Sequence, residues 1–161
     1  MTFIVDGTAG LTYPNSTVQA SAGVVLQVVQ GSTSTAVSSS TSSFVDTTLT
    51  ASITPKFSTS KILVLVQQNG VTISNASASN AMDIQLVRGS TGLGIFIGGL
   101  LNTNTALQQL SSTGFAYLDS PATTSATTYK TQFQSRNNTA SVTVQVAGIN
   151  TSFITLMEIA G

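Results

Sequence analysis

Cysteine, histidine and tryptophan are all missing from this 161-residue chain. Without cysteine there are no disulfides, no thiol nucleophile and no thiolate metal site. Without histidine the usual general base near neutral pH is gone, and only oxygen-ligand cations remain, for which no D-x-D-x-D-G loop is present. Charge is almost as scarce: 6 % of residues are charged, against about 25 % in ordinary soluble domains. The five basic and five acidic side chains cancel, so no basic field exists to hold a phosphate backbone or an anionic membrane. The nearest two carboxylates, Asp83 and Asp119, are 36 positions apart. No acid–base pair is local, and a glycosidase-like pair would have to be made by the fold. The longest mostly apolar run, Gly92 to Leu101, is ten residues, half of what a membrane-spanning helix needs. The first residues, Met1 to Asp6, have neither a basic region nor a long apolar stretch, so no secretory signal is expected.

What remains is serine, threonine, asparagine and glutamine around short apolar runs. A hydrophobic content of 41 % excludes disorder. Lys61 to Val66 (KILVLV) is apolar at consecutive positions, which predicts a central strand covered on both faces. Leu49, Ala51 and Ile53 alternate with polar residues, as do Met82, Ile84 and Leu86, Tyr129 and Phe133, and Val142, Val144 and Val146; each reads as a half-buried strand. Pro55 ends one of them. Asn69-Gly70 is a type I′ hairpin signal, with Val71 and Ile73 starting the return strand. Gly98-Gly99 inside Gly94 to Leu101 suggests a bulge or a close backbone approach, and that doubly apolar run is also a candidate subunit interface. Val24 to Gln30 opens the main domain. Gly31 to Ser43 is a linker or an exposed strand, Asn75 to Asn80 a loop, and Ala106 to Leu110 a single helical turn. Phe153 to Ile159 should pair inside a sheet. Eight to ten short strands without alternating helices predict an all-β protein, an antiparallel β-sandwich with jelly-roll-like connections over residues 24–161.

Residues 1–23 differ. Turn signals at Asp6-Gly7 and Pro14-Asn15 separate a few apolar residues that cannot bury a core alone. The segment is either a loose tail or an extended attachment segment whose apolar positions, Phe3, Ile4, Val5, Leu11, Tyr13, Pro14 and Val18, meet copies of themselves or a partner. Ser58-Thr59-Ser60-Lys61 matches S-x-x-K, but the companion motifs of β-lactamase-like enzymes are missing, so Lys61 reads as a strand-start lysine. Tyr117 and Tyr129 read as core or interface rather than as sugar platforms. No residue is singled out as catalytic, cofactor-binding or metal-ligating.

Asp6 to Gln19 (DGTAGLTYPNSTVQ) resembles the leader of tail-fibre and other virion structural proteins of tailed bacteriophages, cyanophages among them. Val28 to Gly31, Ser60 to Val64, Leu86 to Thr91, Tyr117 to Pro121 and Ile154 to Ile159 are similar, in order, to blocks of the globular domain in the same proteins. The resemblance implies a homotrimer, with intertwined leaders and β-sandwich heads around a threefold axis. It implies a place on the virion, at the tail or baseplate or alternatively on the capsid surface, and other virion proteins as partners. Head loops would contact a host surface polysaccharide through residues the sequence does not identify. A capsid decoration protein is the alternative, and a polysaccharide-cleaving enzyme a third. With Met1 just before the leader, a short fibre or a compact knob is expected. No cofactor, nucleic acid partner or membrane insertion is expected.

Overall fold

A computed structural model describes residues 4–6, 10–12, 18–19, 23–74, 80–103, 109–137 and 141–161. Its strands are β1 (Ile4–Asp6), β2 (Gly10–Thr12), β3 (Val18–Gln19), β4 (Val25–Thr33), β5 (Val37–Ser39), β6 (Val45–Ile53), β7 (Lys61–Ser74), β8 (Asn80–Arg88), β9 (Thr91–Thr103), β10 (Gln109–Asp119), β11 (Thr127–Ser135), β12 (Ser141–Val144) and β13 (Ser152–Ile159). The only helical element among the described residues is a short 3₁₀ turn, Val146–Gly148.

Every ladder is antiparallel. One sheet runs β4-β13-β7-β10, the other β6-β11-β8-β9. β5 continues β4, and β12 precedes β13 as the first half of one interrupted strand, because both pieces follow the same neighbours. Counting those pairs as single strands leaves eight, wound as a jelly roll. β1, β2 and β3 form a separate three-stranded sheet, with Val5 opposite Leu11 and Thr12 opposite Val18.

The alternating stretches bury the side chains their pattern assigns inward. Leu49, Ala51 and Ile53 of β6, Met82, Ile84 and Leu86 of β8, Tyr129 and Phe133 of β11, and Val142 and Val144 of β12 all lie in the core. Each such aliphatic side chain is worth about 1.5–3 kcal/mol when fully buried. Phe153 to Ile159 is held between β4 and β7. Gly31 to Ser43 contributes the end of β4 and all of β5. The chain passes so close to β6 at Gly31 that a Cβ there would stand 2.0 Å from the Thr50 carbonyl oxygen. Val146 leaves the predicted alternation, because left-handed backbone at Gln145 (φ 50°) and Ala147 (φ 63°) ends β12 at Val144.

Three expectations fail. Asn69-Gly70 is not a hairpin: β7 continues through it and is 14 residues long. Gly70 does take a positive φ, 61°, but in a bulge that shifts the register against β10 between Thr113 and Ser111. A Cβ there would lie 2.6 Å from that of Asn150. A long central strand bent in the middle uses the same backbone freedom as a tight turn. Second, the chain itself covers the first half of β7, Lys61 to Gln67, on one face only. Ile62, Val64 and Val66 are buried, whereas Leu65 is exposed and Leu63 half-buried. Third, Leu110, assigned to a helical turn, belongs to β10; residues 106–108 of that turn and 75–79 of the predicted loop lie outside the described residues.

The core is divided. One apolar cluster holds Leu49, Ile62, Val64, Leu86, Tyr129 and Leu156. The other holds Val71, Ile73, Met82, Phe133 and Val142. Between them lies a fully buried polar layer of Thr47, Gln68, Thr131, Gln145 and Ser152. Thr47 and Thr131 share a 2.6 Å hydrogen bond, and the Thr131 hydroxyl donates to Gln68 Oε1 at 3.2 Å. Ser152 Oγ accepts from Gln68 Nε2 at 3.1 Å and from the Asn69 amide at 2.9 Å. The Gln145 amide is satisfied with its nitrogen donating to the carbonyls of Thr47 and Thr35, at 3.2 and 3.1 Å, and its oxygen accepting from Gln68 and Ser152.

Candidate interaction surface

The jelly roll turns two unlike faces outward. On the β6-β11-β8-β9 face most of the side chains are polar and bonded to one another, with Ile95 beside Gln85 the exposed apolar exception. Asp46 accepts from Lys130 at 2.8 Å and Gln132 at 2.7 Å, and Gln132 accepts from Gln85 at 2.7 Å. Ser52 and Thr128 share a 2.7 Å bond. Asp83 takes four donors: Gln134 at 3.0 Å, the Gly99 amide at 3.0 Å, Arg136 Nε at 3.1 Å and Arg136 Nη2. The Gly98-Gly99 expectation is explained here. The two glycines form a bulge opposite Asp83, and a Cβ on Gly98 would stand 3.1 Å from the Arg136 guanidinium.

The β4-β13-β7-β10 face is different. Register sets Val28 beside Met157, Met157 beside Leu63, and Leu63 beside Leu118, an apolar row across four strands. The next row is Gln30, Thr155, Leu65 and Ala116, and Phe153 lies beyond it. Val28 is 56 % exposed, Leu118 49 %, Leu65 39 % and Phe153 38 %. The charged residues of these strands do not interrupt the patch. Glu158 and Asp119 are buried on the inner side, and Lys61 stands at the end of β7. Single exposed apolar residues need no explanation, but a contiguous apolar patch does.

The carboxylates are all committed where their side chains are described. Asp119 on β10 accepts from Arg88 Nη1 on β8 at 2.9 and 2.7 Å and from the Tyr129 hydroxyl at 2.6 Å. Burial and the hydrogen bond to Asp119 push the Tyr129 phenol well above its ordinary pKa of 10.0, and the Asp119 carboxylate raises that of Arg88. Glu158 accepts from Gln27 at 2.5 Å and from the Lys56 amide at 2.7 Å. Burial raises the pKa of Asp46, Asp83 and Glu158, but the donors around each outweigh it and hold all three below the ordinary carboxylate values. These bonds are structural ties between strands, with no shared reacting position. Lys61 starts β7, as read from the sequence. Tyr129 is fully buried, and Tyr117 packs edge-on to Phe96 with ring centroids 5.1 Å apart.

Of the attachment residues, Ile4 and Val5 fall on β1, Leu11 on β2 and Val18 on β3. Phe3, Tyr13 and Pro14 lie outside the described residues. The segment joins the head where Gly23 and Val24 pair with Ala160, through amide-to-carbonyl bonds of 3.0 and 2.9 Å. That junction is at one end of the apolar face, beside the last residues of β13. Sequence reasoning missed the Arg88–Asp119 pair and the buried glutamines, since no local pattern joins Arg88 to Asp119, 31 positions on, or Gln68 to Thr131, 63 positions on.

No family model and no curated protein matches the chain. Among solved structures it is similar to the VP2 subviral particle of infectious bursal disease virus, at 10 % identity and a TM-score of 0.45. That alignment covers 84 % of this chain and 38 % of VP2, so the chain spans well under half of the length of the protein it matches.

Proposed function

We propose that this chain is a virion structural protein of a tailed bacteriophage: a homotrimeric tail fibre, fixed to the tail or baseplate by residues 1–23 and presenting its head to the host surface. The observation that carries this reading is the split between the two outward faces. One is largely hydrogen-bonded polar side chains, while the other carries a row of exposed hydrocarbon across four strands with no ionic group inside it. A fold as widely reused as the jelly roll does not specify a function, and a surface of this kind is built to be covered. The resemblance of the leader, Asp6 to Gln19, supplies the setting. The four carboxylates whose side chains are described are each occupied by structural donors, which favours an assembly protein over a hydrolase.

Antibody raised against the head and applied to intact particles tests the reading. Gold label at the tail or baseplate supports it. Label spread over the capsid shell moves the protein to decoration of the head, and an unlabelled particle overturns the virion assignment. Release of reducing sugar ends from host surface polysaccharide would bring the enzyme back.

A further inference from the structure

We infer that the apolar β4-β13-β7-β10 face is covered by sister copies of this chain, so that the heads pack through the row Val28, Met157, Leu63 and Leu118. This deepens the trimer reading and rests on it, by naming the surface that the copies share. Three observations select a second copy as the occupant. The patch holds no charge, so identical faces meet without repulsion; Lys61 marks its end. The segment 1–23 enters the head at Gly23-Val24, at one end of this same face. Packing these faces therefore brings the segments of sister chains together at one end.

The third is size. Four strands about 4.8 Å apart and seven residues with a rise of about 3.3 Å make a patch of roughly 450 Å². A standard interface takes about 800 Å² from each partner. This face thus supplies about half of that area, and contacts between the leaders of sister chains, brought together at its end, supply the rest.

The chain has no cysteine, so single cysteines report position without background. Leu63→Cys in the full-length oligomer should form an intersubunit disulfide on mild oxidation, and should react with maleimide at least tenfold more slowly than Thr128→Cys on the polar face. Leu65→Asp and Leu118→Asp should each weaken association at least 100-fold by light scattering on dilution, while Thr128→Asp leaves it unchanged. Both outward positions can hydrate a carboxylate in the free subunit, and far-UV circular dichroism checks that the fold survives. Should either variant fail to fold, the cysteine pair decides alone. Equal maleimide rates at positions 63 and 128 in a wild-type-sized oligomer overturn this face and leave the trimer standing. So does normal association of the folded aspartate variants, including the case in which they no longer load onto particles, which would assign the face to another virion protein. A wild-type chain that is monomeric overturns both.

Discussion

Arg88 clamps Asp119 across the sandwich: one guanidinium nitrogen donates to both oxygens of the carboxylate, at 2.9 and 2.7 Å, and so ties β8 in one sheet to β10 in the other. Tyr129 of β11 adds a third donor. Asp119 is buried, while the arginine side chain keeps 29 % of its exposure. The two partners are therefore unequal. Arg88→Ala strands a buried carboxylate with the tyrosine alone and should cost about 2–4 kcal/mol. Asp119→Ala leaves an arginine that can turn to water, so its cost is mainly that of the buried Tyr129 hydroxyl left without an acceptor, about 1–3 kcal/mol, and should be the smaller. Urea titration of both variants checks the order.

Stability should be flat between about pH 5.5 and 9, because no histidine or cysteine titrates there. Asp46, Asp83 and Glu158 have folded pKa values below their ordinary ones. Their contribution is fully present above the unfolded values, 3.8 for aspartate and 4.5 for glutamate, and is lost as pH falls through the folded values. The raised pKa of Tyr129 acts at the other end. The unfolded phenol ionises above about pH 10 while the folded one stays neutral, so stability falls as pH rises past that point. Urea midpoints from pH 2 to 11 should trace a plateau with two shoulders.

Glycine substitutions should separate by what surrounds them. Gly70→Ala meets both a positive φ and a side chain 2.6 Å away, and Gly31→Ala drives a methyl into the Thr50 carbonyl. Gly89 has a positive φ, 58°, with open space beside it. Its change to alanine should cost about 1 kcal/mol, and the other two clearly more. Thermal midpoints of the three variants give the ranking.

Deleting residues 1–22 keeps the Gly23–Ala160 bond and all ten head strands, so the truncated chain should retain its far-UV spectrum. Attachment to particles should be lost. A truncated head that still decorates virions normally would dismiss the role given to the leader.

Much of the head was legible because alternation is local. Leu49, Ala51 and Ile53 announce their burial within five residues, and Met82, Ile84 and Leu86 do the same. Asn69-Gly70 misled because a positive φ serves a bulge as well as a turn, and only the partners Asn150 and Val146 distinguish them. The strand at Lys61 to Val66 is apolar on both sides, so nothing within it says which side a single subunit covers. The candidate surface was illegible for a related reason. Val28 and Met157 are neighbours only through the register of β4 with β13, a pairing that the fold as a whole decides.

The hydroxyl and amide layer at the waist of the head has a mechanical consequence. Two leaves of plain hydrocarbon could slide past each other by a residue pair and lose little. Here such a slip would pull Thr131 away from Gln68 and Gln145 away from the Thr47 carbonyl, and leave dry, unanswered dipoles on both leaves. The layer acts as a dowel, fixing the alignment of the two halves that slippery side chains alone would leave loose.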